Sequence, residues 1–298
     1  MYRRIEWQSV ASSSNGAKLV AVSYPGRIFT SVNSGKTWVP RGSREYWCSV
    51  ASSAGGARLT AVDCFNGRIH TSGNSGLTWL LRTSNRLTPS NLTYHFESVA
   101  SSSDGSKLVA GDSSGSIHTS VDLGATWARR ATEKGGALAS SSDGTKLVSA
   151  VYAENGSWIF TSADSGATWA RRASKQPWTD VASSSDGRNL VTAAVYGRVY
   201  TSTDSGVTWV PRANKRSWSA VSSSSDGTKL VAAVNDGMIY ISANSGITWV
   251  PRASNRFWSA VASSSDGARL VAVTLHGQIY TSSNGGSTWV LRKGNAGD

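Results

Sequence analysis

Apolar and polar residues alternate in short runs along this chain. The stretch WSAVASSSDGARLVAVTLHGQIYTSSNGGSTWVLR, residues 258–292, contains four β-prone runs: WSAVASSS, RLVAV, QIYTS and STWVLR. An Asp-Gly pair, a glycine-containing bend and a polar octapeptide separate these runs, and Asp-Gly in such a place is a strong hairpin signal. No helical period is present. The pattern predicts four antiparallel strands joined by short turns.

The octapeptide S-x-[DN]-x-G-x-T-W occurs seven times, which fixes the repeat. Its Trp residues are spaced by 41, 48, 42, 40, 40 and 40 positions, and they are Trp38, Trp79, Trp127, Trp169, Trp209, Trp249 and Trp289. Seven units of about 40 residues with four strands each predict an all-β, seven-bladed β-propeller, because a β-helix needs shorter repeats. The octapeptide turn lies between strands 3 and 4 of each blade. We expect one domain over residues 1–298, with blades at about 7–42, 47–83, 96–131, 137–173, 178–213, 218–253 and 258–293.

The octapeptide resembles the Asp-box, or BNR repeat, of sialidases, some polysaccharide-cleaving glycosidases and photosystem II assembly factors. The resemblance covers every repeat and implies the propeller fold, but these families do different things, so it does not imply one activity. The third position is Asn33, Asn74, Asp122, Asp164, Asp204, Asn244 or Asn284. Catalysis by a carboxylate would not survive the change to Asn, whereas side-chain capping of a turn would. We interpret the octapeptide as structural.

Propeller topology places variation on one face. The first and third turns of a blade share one face, and the second turn and the blade-to-blade connection share the other. The connections are basic and aromatic, and the second turns differ most between repeats. Such residues could bind anionic groups or stack on sugars. The candidate ligand-binding residues are Arg44, Arg86, Lys175, Arg216, Arg256, Tyr24, Phe65, Tyr152, Tyr196 and His276.

These basic and variable residues can also be explained without a ligand. The Arg three residues after each octapeptide Trp occurs in all seven repeats, which favours a structural role in holding blades together. Variation in the second turns is also what unused surface would show. Both interpretations stay open at this point.

The amino-acid composition indicates which classes of binding partner are favoured. Lys and Arg number 30 against 18 Asp and Glu, so the formal net charge is +12 and anionic partners are favoured. No apolar run is long enough to span a membrane. The segment MYRRIEWQSV shows no signal-peptide pattern, and the localisation stays unknown. Two cysteines, Cys48 and Cys64, are too few for a disulfide framework, and we expect two free buried thiols. A one-residue slip in the pairing of their strands would place them opposite each other, and a disulfide is then the alternative.

Catalytic candidates are few once the turn acids are set aside. Asp63 and Asp112 occupy the same position in adjacent blades and could converge near the axis as the two carboxylates of a glycosidase, which are commonly about 5–10 Å apart. We expect His70 and His118 to fill the core where other repeats have Phe or Tyr. The sequence predicts no metal site and no cofactor.

The first hypothesis is a non-enzymatic, monomeric propeller that binds a glycan or other anionic ligand through its variable face. A second hypothesis is a glycoside hydrolase or lyase that uses Asp63 and Asp112. A third is a scaffold for a protein complex, which the resemblance to assembly factors implies. Nucleic acid is the least favoured of the anionic partners.

Overall fold

The computed structural model describes residues 5–83, 95–132, 135–152, 157–173 and 175–293. These residues form seven four-stranded antiparallel sheets, and in every sheet the strands are paired in chain order from first to fourth. No helix occurs in this part of the chain. The prediction of a seven-bladed propeller with four strands per blade is confirmed.

Each blade contributes one strand to each of four positions. The first strands are β1 (Trp7–Ser12), β5 (Trp47–Ser52), β9 (Phe96–Ser101), β13 (Ala137–Ser140), β17 (Trp178–Ser183), β21 (Trp218–Ser223) and β25 (Trp258–Ser263). The second strands are β2 (Leu19–Ser23), β6 (Leu59–Asp63), β10 (Leu108–Asp112), β14 (Leu147–Val151), β18 (Leu190–Ala194), β22 (Leu230–Val234) and β26 (Leu270–Thr274). All the second strands are buried along their whole length.

The outer half of each blade is formed by the remaining strands. The third strands are β3 (Gly26–Ser31), β7 (Arg68–Ser72), β11 (Ile117–Ser120), β15 (Trp158–Ser162), β19 (Val199–Ser202), β23 (Ile239–Ser242) and β27 (Ile279–Ser282). The fourth strands are β4 (Val39–Glu45), β8 (Leu80–Thr83), β12 (Ala128–Ala131), β16 (Ala170–Arg171), β20 (Val210–Pro211), β24 (Val250–Pro251) and β28 (Val290–Lys293). The fourth strands are mostly exposed and form the rim.

The first strands surround the central axis. Each contacts the first strand of the next blade, and β25 contacts β1. A main-chain hydrogen bond joins each pair of neighbouring first turns, and the seven bonds close a ring: Ser14 N–H donates to Ala54, Ala54 to Ser103, Ser103 to Ser142, Ser142 to Ser185, Ser185 to Ser225, Ser225 to Ser265, and Ser265 to Ser14, all at 2.7–2.8 Å. Blade 7 therefore closes on blade 1 with the same contact that joins every other pair, and no strand is exchanged between blades.

The hydrophobic core is divided among the blade interfaces. Seven clusters of buried residues each combine side chains of two neighbouring blades, including one formed by blades 7 and 1. In six blades the aromatic ring that opens the first strand meets a ring of the third strand edge to face, with centroids 5.1–5.4 Å apart. This is the favoured geometry for aromatic pairs. Blade 4 has Gly135 at the first position and lacks this pair.

Main-chain hydrogen bonds show which turns share a face. Within each blade, an N–H of the octapeptide turn donates to a carbonyl of the first turn, as Ser205 does to Arg188 at 3.0 Å. On the opposite side, in six blades, an N–H of the second turn donates to the carbonyl of the residue that precedes the first strand, as Asn235 does to Ser217 at 2.8 Å. We call these sides the octapeptide face and the connection face.

The octapeptide turn is held by its own polar side chains. In the fifth copy, Ser202 Oγ accepts the Gly206 N–H at 2.9 Å and donates to Asp204 at 2.7 Å. The N–H of Thr208 donates to Asp204 at 2.9 Å, and its hydroxyl donates to the second carboxylate oxygen at 2.6 Å. In the first copy the amide of Asn33 donates to the Thr37 hydroxyl at 2.8 Å instead. Because the hydroxyl can donate or accept, Asp and Asn support the same turn.

Two consecutive residues of this turn have left-handed backbone conformations. In the last copy they are Gly285 at φ +64° and Gly286 at φ +83°, and the first of these positions is a non-glycine residue in the other six copies. A Cβ atom at Gly286 would lie 2.7 Å from Ile241 of the preceding blade, whereas at Gly285 the nearest atom would be 3.7 Å away. Only the second position therefore requires glycine for space as well as for φ.

We expect Gly286→Ala to lower the free energy of unfolding by about 2–4 kcal/mol, because it combines left-handed strain with overpacking. The matched variant Gly285→Ala has strain alone, and its expected loss is about 1 kcal/mol. Chemical denaturation of both variants measures the difference. Equal losses would contradict this account of the turn.

Candidate functional site

The connection face carries most of the exposed aromatic side chains outside the rim. Four rings form a continuous arc over blades 1–3. Tyr24 and Tyr46 have centroids 5.3 Å apart, Tyr46 and Phe65 are 4.6 Å apart, and Phe65 and His95 are 6.4 Å apart. Phe65 is 58% exposed, so its ring faces solvent. We call these four residues the aromatic arc.

The arc is built from two kinds of segment. Tyr24 and Phe65 lie in second turns, while Tyr46 and His95 lie in the connections before β5 and β9. The two kinds are joined by main-chain bonds, since the Cys64 N–H donates to the Tyr46 carbonyl at 3.0 Å. Tyr24 and Phe65 were among the sequence candidates. Tyr46 and His95 were not, because the repeat alone does not show that a connection and a turn are neighbours.

Polar side chains line the arc beside Tyr46 and Phe65. Asn66 Nδ2 donates to Glu45 at 3.3 Å, and Arg68 forms an ion pair with Glu45 at 3.5 Å. The carboxylate of Glu45, the amide of Asn66 and the guanidinium of Arg68 are all partly accessible to solvent. The arrangement can offer both stacking surfaces and hydrogen-bonding groups to one ligand.

Cys48 and Cys64 form a disulfide with Cα atoms 5.8 Å apart, so the expectation of two free thiols is wrong. A bulge in β5 explains the difference. Trp47 pairs with Asp63 and Ser49 pairs with Val62, which leaves Cys48 as the extra residue beside Cys64. The sequence does not show this one-residue shift. The disulfide covalently joins the segment that carries Tyr46 to the turn that carries Phe65.

Two of the basic candidates are engaged within the fold. Arg256 bridges to Gly237 through main-chain hydrogen bonds, and its guanidinium carbon lies 4.8 Å from the centroid of the Tyr280 ring. Its Nη1 also donates to Gln278 at 3.3 Å. Arg216 makes the equivalent main-chain bridge and cation–π contact one blade earlier. Each residue links two blades, because its main chain binds the preceding blade and its side chain contacts the following one. These contacts leave less of each side chain for a ligand.

The other candidates are distributed around the connection face. Arg44 and Lys175 are exposed, and Tyr152 and Tyr196 are 73% and 78% exposed. His276 packs edge to face on Phe257, with centroids 4.9 Å apart. Arg86 lies outside the described residues.

Asp63 is buried in the second turn of blade 2. Its carboxylate accepts the N–H groups of Phe65 and Asn66 at 3.0 and 3.1 Å and the amide of Asn66 at 2.7 Å. All of these bonds are local to one turn. The role this geometry shows is that of a turn cap.

Asp112 is buried in the second turn of blade 3. It accepts bonds from Ser114 and Ser116 and lies 2.8 Å from Nε2 of His118. Burial opposes its ionisation, but the hydrogen bonds from His118, Ser114 and Ser116 together outweigh burial and lower the pKa of Asp112. The structure gives Asp63 and Asp112 separate partners in separate blades.

His70 and His118 occupy the third-strand ring position. They meet Trp47 and Phe96 edge to face, which matches their expected role as core fillers. Burial, the largest effect, lowers the pKa of His70. Among the described residues no group of three or more His, Cys, Asp or Glu side chains is arranged to hold a metal ion.

The repeated arginines bind within their own blades. In six blades the Arg Nε donates to a third-strand Thr hydroxyl at 2.7–3.4 Å, and the arginines are Arg41, Arg82, Arg130, Arg172, Arg212 and Arg292. In blade 6 the third-strand residue is Ile241, so Arg252 has no such partner there. This contact supports a structural role for the repeated arginine.

Asp180 in the first strand of blade 5 joins that blade to the next one. Its carboxylate accepts the Val221 N–H of the next blade at 2.8 Å. Blades 1, 2 and 3 make the same contact with a serine hydroxyl, as Ser9 does with the Val50 N–H at 3.3 Å. Burial among the first strands, the largest effect, raises the pKa of Asp180 to about 6.

No protein-family model and no curated protein sequence matches this chain. Solved structures resemble its fold. YCF48 from Cyanidioschyzon merolae superimposes with a TM-score of 0.69 at 14% identity, covering 95% of this chain and 98% of that one. YCF48 bound to D1 peptide gives 0.67 at 15% identity over 98% and 94%. At these identities the similarity shows the fold alone.

A GH74 xyloglucanase from Xanthomonas campestris is also similar in fold. It has a TM-score of 0.76 at 17% identity and covers 99% of this chain but only 56% of the xyloglucanase. The described residues contain no helix of the length and apolar character that crossing a membrane requires.

We expect stability to fall as pH rises from about 4 to 6, because the folded state holds the Asp180 proton more tightly than the unfolded chain does. In Asp180→Ser the hydroxyl keeps the contact with Val221 and removes the buried charge. Above pH 6 this variant should be more stable than the parent by about 1–3 kcal/mol, with the gain vanishing near pH 4.

Denaturation curves between pH 4 and 8 measure this gain. The reverse variant Ser9→Asp should acquire the same dependence, since it places a carboxylate at the equivalent position of blade 1. A constant difference between Asp180→Ser and the parent across this range would show that Asp180 does not titrate with a raised pKa.

Proposed function

We propose that this protein is a non-enzymatic binding propeller whose aromatic arc holds a glycan. The observation that carries the proposal is the continuous arc of rings from Tyr24 to His95, with the exposed ring of Phe65 near its centre. Sugar rings present apolar C–H faces that stack on aromatic side chains. Their hydroxyl groups need planar hydrogen-bonding partners, and Glu45, Asn66 and Arg68 lie beside the arc.

Binding without catalysis follows from the way the carboxylates are used. Hydrolysis of a glycosidic bond needs one carboxyl group as an acid and a second as a base or nucleophile. Asp63 and Asp112 are buried, and each accepts bonds from its own turn. Glu45 is already paired with Arg68. This geometry favours a binding site over the alternative of a hydrolase or lyase.

A peptide segment of a protein partner is the second candidate ligand. The YCF48 structure with D1 peptide is a propeller of nearly the same length, and the two chains cover 98% and 94% of each other. Aromatic and arginine side chains are also those that dominate protein interfaces. The assembly-factor hypothesis rests on this similarity in fold and on the octapeptide resemblance.

We expect Phe65→Ala to weaken glycan binding at least about tenfold, because stacking and burial of one aromatic ring contribute on the order of 1–3 kcal/mol. A glycan array identifies the ligand, and calorimetry with that ligand compares the variant with the parent. Tyr196→Ala is the matched control, since it removes a ring that is outside the arc and more exposed than Phe65.

The two ligand classes give different outcomes. Binding of a glycan that is lost in Phe65→Ala and kept in Tyr196→Ala supports the proposal. If the array is blank and a peptide array gives a signal that depends on Phe65, the scaffold hypothesis replaces it. Turnover of a bound glycan that is abolished by Asp63→Asn or Asp112→Asn would show an enzyme.

A further inference from the structure

Grooves open between neighbouring blades on the octapeptide face. The groove between blades 4 and 5 measures about 320 Å³, that between blades 6 and 7 about 260 Å³, and that between blades 7 and 1 about 230 Å³. Pockets for drug-sized ligands span roughly 300–1,000 Å³. The groove between blades 7 and 1, here called the 7/1 groove, therefore suits a substituent of a larger molecule.

Three cationic side chains line the 7/1 groove: Lys36, Arg269 and Arg292. The two guanidinium groups are fixed in place. Arg269 Nη1 donates to the Asn15 carbonyl at 3.0 Å, and Arg292 Nε donates to a Thr281 hydroxyl at 2.8 Å. Lys36 is exposed, and its ammonium group makes no hydrogen bond or ion pair with any described residue. Hydroxyl groups complete the lining, from Ser12, Ser34, Thr281, Ser282 and Ser283.

Acidic residues are replaced by neutral ones on both sides of the 7/1 groove. The octapeptide turns of blades 7 and 1 contain Asn284 and Asn33, and the first turn of blade 1 contains Asn15 where five other blades have Asp. At the groove between blades 4 and 5 the corresponding positions are Asp164, Asp204 and Asp186. The 7/1 groove thus combines three cations with three neutral exchanges, all of which raise its positive potential.

The acids at the other groove are ionised. Thr168 binds Asp164 and Thr208 binds Asp204, in each case through the hydroxyl and the main-chain N–H. These hydrogen bonds, that of the hydroxyl above all, hold the pKa values of both aspartates at about 2. Hydrogen bonds from the Ser184 hydroxyl and the Arg188 N–H lower the pKa of Asp186 in the next first turn, and Lys146, which lines that groove, lowers it further. There the positive charges are balanced within the protein. At the 7/1 groove the corresponding described positions, Asn15, Asn33 and Asn284, carry no negative charge.

Lys36 distinguishes the 7/1 groove from every other blade interface. It occupies the sixth position of the octapeptide, and it is the one charged residue at that position. The other copies have Leu77, Ala125, Ala167, Val207, Ile247 and Ser287. The groove between blades 6 and 7 has Ser287 at the position of Lys36 and Ile241 in place of the Thr281 hydroxyl. Its lysine, Lys229, takes the place of Arg269 and makes the equivalent bond, to the Asp266 carbonyl at 2.7 Å.

We propose that the 7/1 groove binds a tetrahedral oxyanion, the sulfate or phosphate monoester group of a larger molecule. Fixed guanidinium groups, a free ammonium group and hydroxyl donors are the partners that such oxygens require. The hydroxyls of Ser34, Thr281 and Ser283 can serve, whereas those of Ser12 and Ser282 already donate to Ser13 and Asn284. The site lies on the octapeptide face, opposite the aromatic arc, and does not depend on the glycan proposal.

Calorimetric titration with inorganic sulfate and, separately, inorganic phosphate at low ionic strength tests the site. We expect the parent to bind at least one of them, and Lys36→Leu to bind it about tenfold more weakly or worse. The tighter anion identifies the ester class. Lys36→Ser is a second variant, since blade 7 has Ser at this position and the turn tolerates it.

The double variant Lys36→Leu/Val207→Lys is the matched control, because it keeps the net charge and moves the lysine to the groove between blades 4 and 5. We expect it to bind as weakly as Lys36→Leu. Parent-like binding by the double variant would show that net charge alone attracts the anion. The absence of binding to the parent, or unchanged binding by Lys36→Leu, would also overturn the proposal.

Discussion

A four-stranded blade cannot bury both of its faces by itself, and this constraint organises the molecule. Each blade is covered by its two neighbours, so the core is divided into seven interface clusters instead of one centre. The last interface must form for the first and last blades to be covered on both faces. The ring of main-chain hydrogen bonds between first turns repeats unchanged from Ser265 to Ser14. Closure is therefore achieved by geometry that each repeat already has.

The octapeptide face and the connection face have different roles in the molecule. On the octapeptide face, seven similar turns hold the third and fourth strands and contact the first turns, so most residues there are required by the fold. On the connection face the second turns vary in length and sequence. Residues such as Phe65 can change there without loss of a blade contact, and this freedom allows one sector to carry the aromatic arc.

The sequence predicts the parts of the structure that recur. Strand order, blade number and the structural role of the octapeptide follow from seven copies, because each copy tests the same interpretation. The disulfide does not follow, since a bulge at Cys48 shifts the pairing by one residue. The side chains that hold the second-turn acids do not follow either, since Asp63 is bound by Asn66 and the matching Asp112 by Ser114 and His118. These partners differ from repeat to repeat, so one copy does not predict another.

The repeat pattern also does not predict which side chains of different blades contact each other. Tyr46 joins the arc, and Asp180 reaches Val221, because connections and first strands meet across blades. The 7/1 groove depends on residues from both ends of the chain. Its charge is apparent only once Arg269 and Asn15 are known to be neighbours.

The threonine of the octapeptide turn has a consequence beyond holding a loop. The Thr208 hydroxyl donates to Asp204, whereas the Thr37 hydroxyl accepts from Asn33, so one turn geometry is compatible with either a negative or a neutral side chain. The charge at the third position of each of the seven octapeptide turns can therefore change without a change in the backbone of the turn. Mutation can adjust the charge of a single sector while the neighbouring blades keep their positions, so a symmetric scaffold can acquire an asymmetric surface without folding anew.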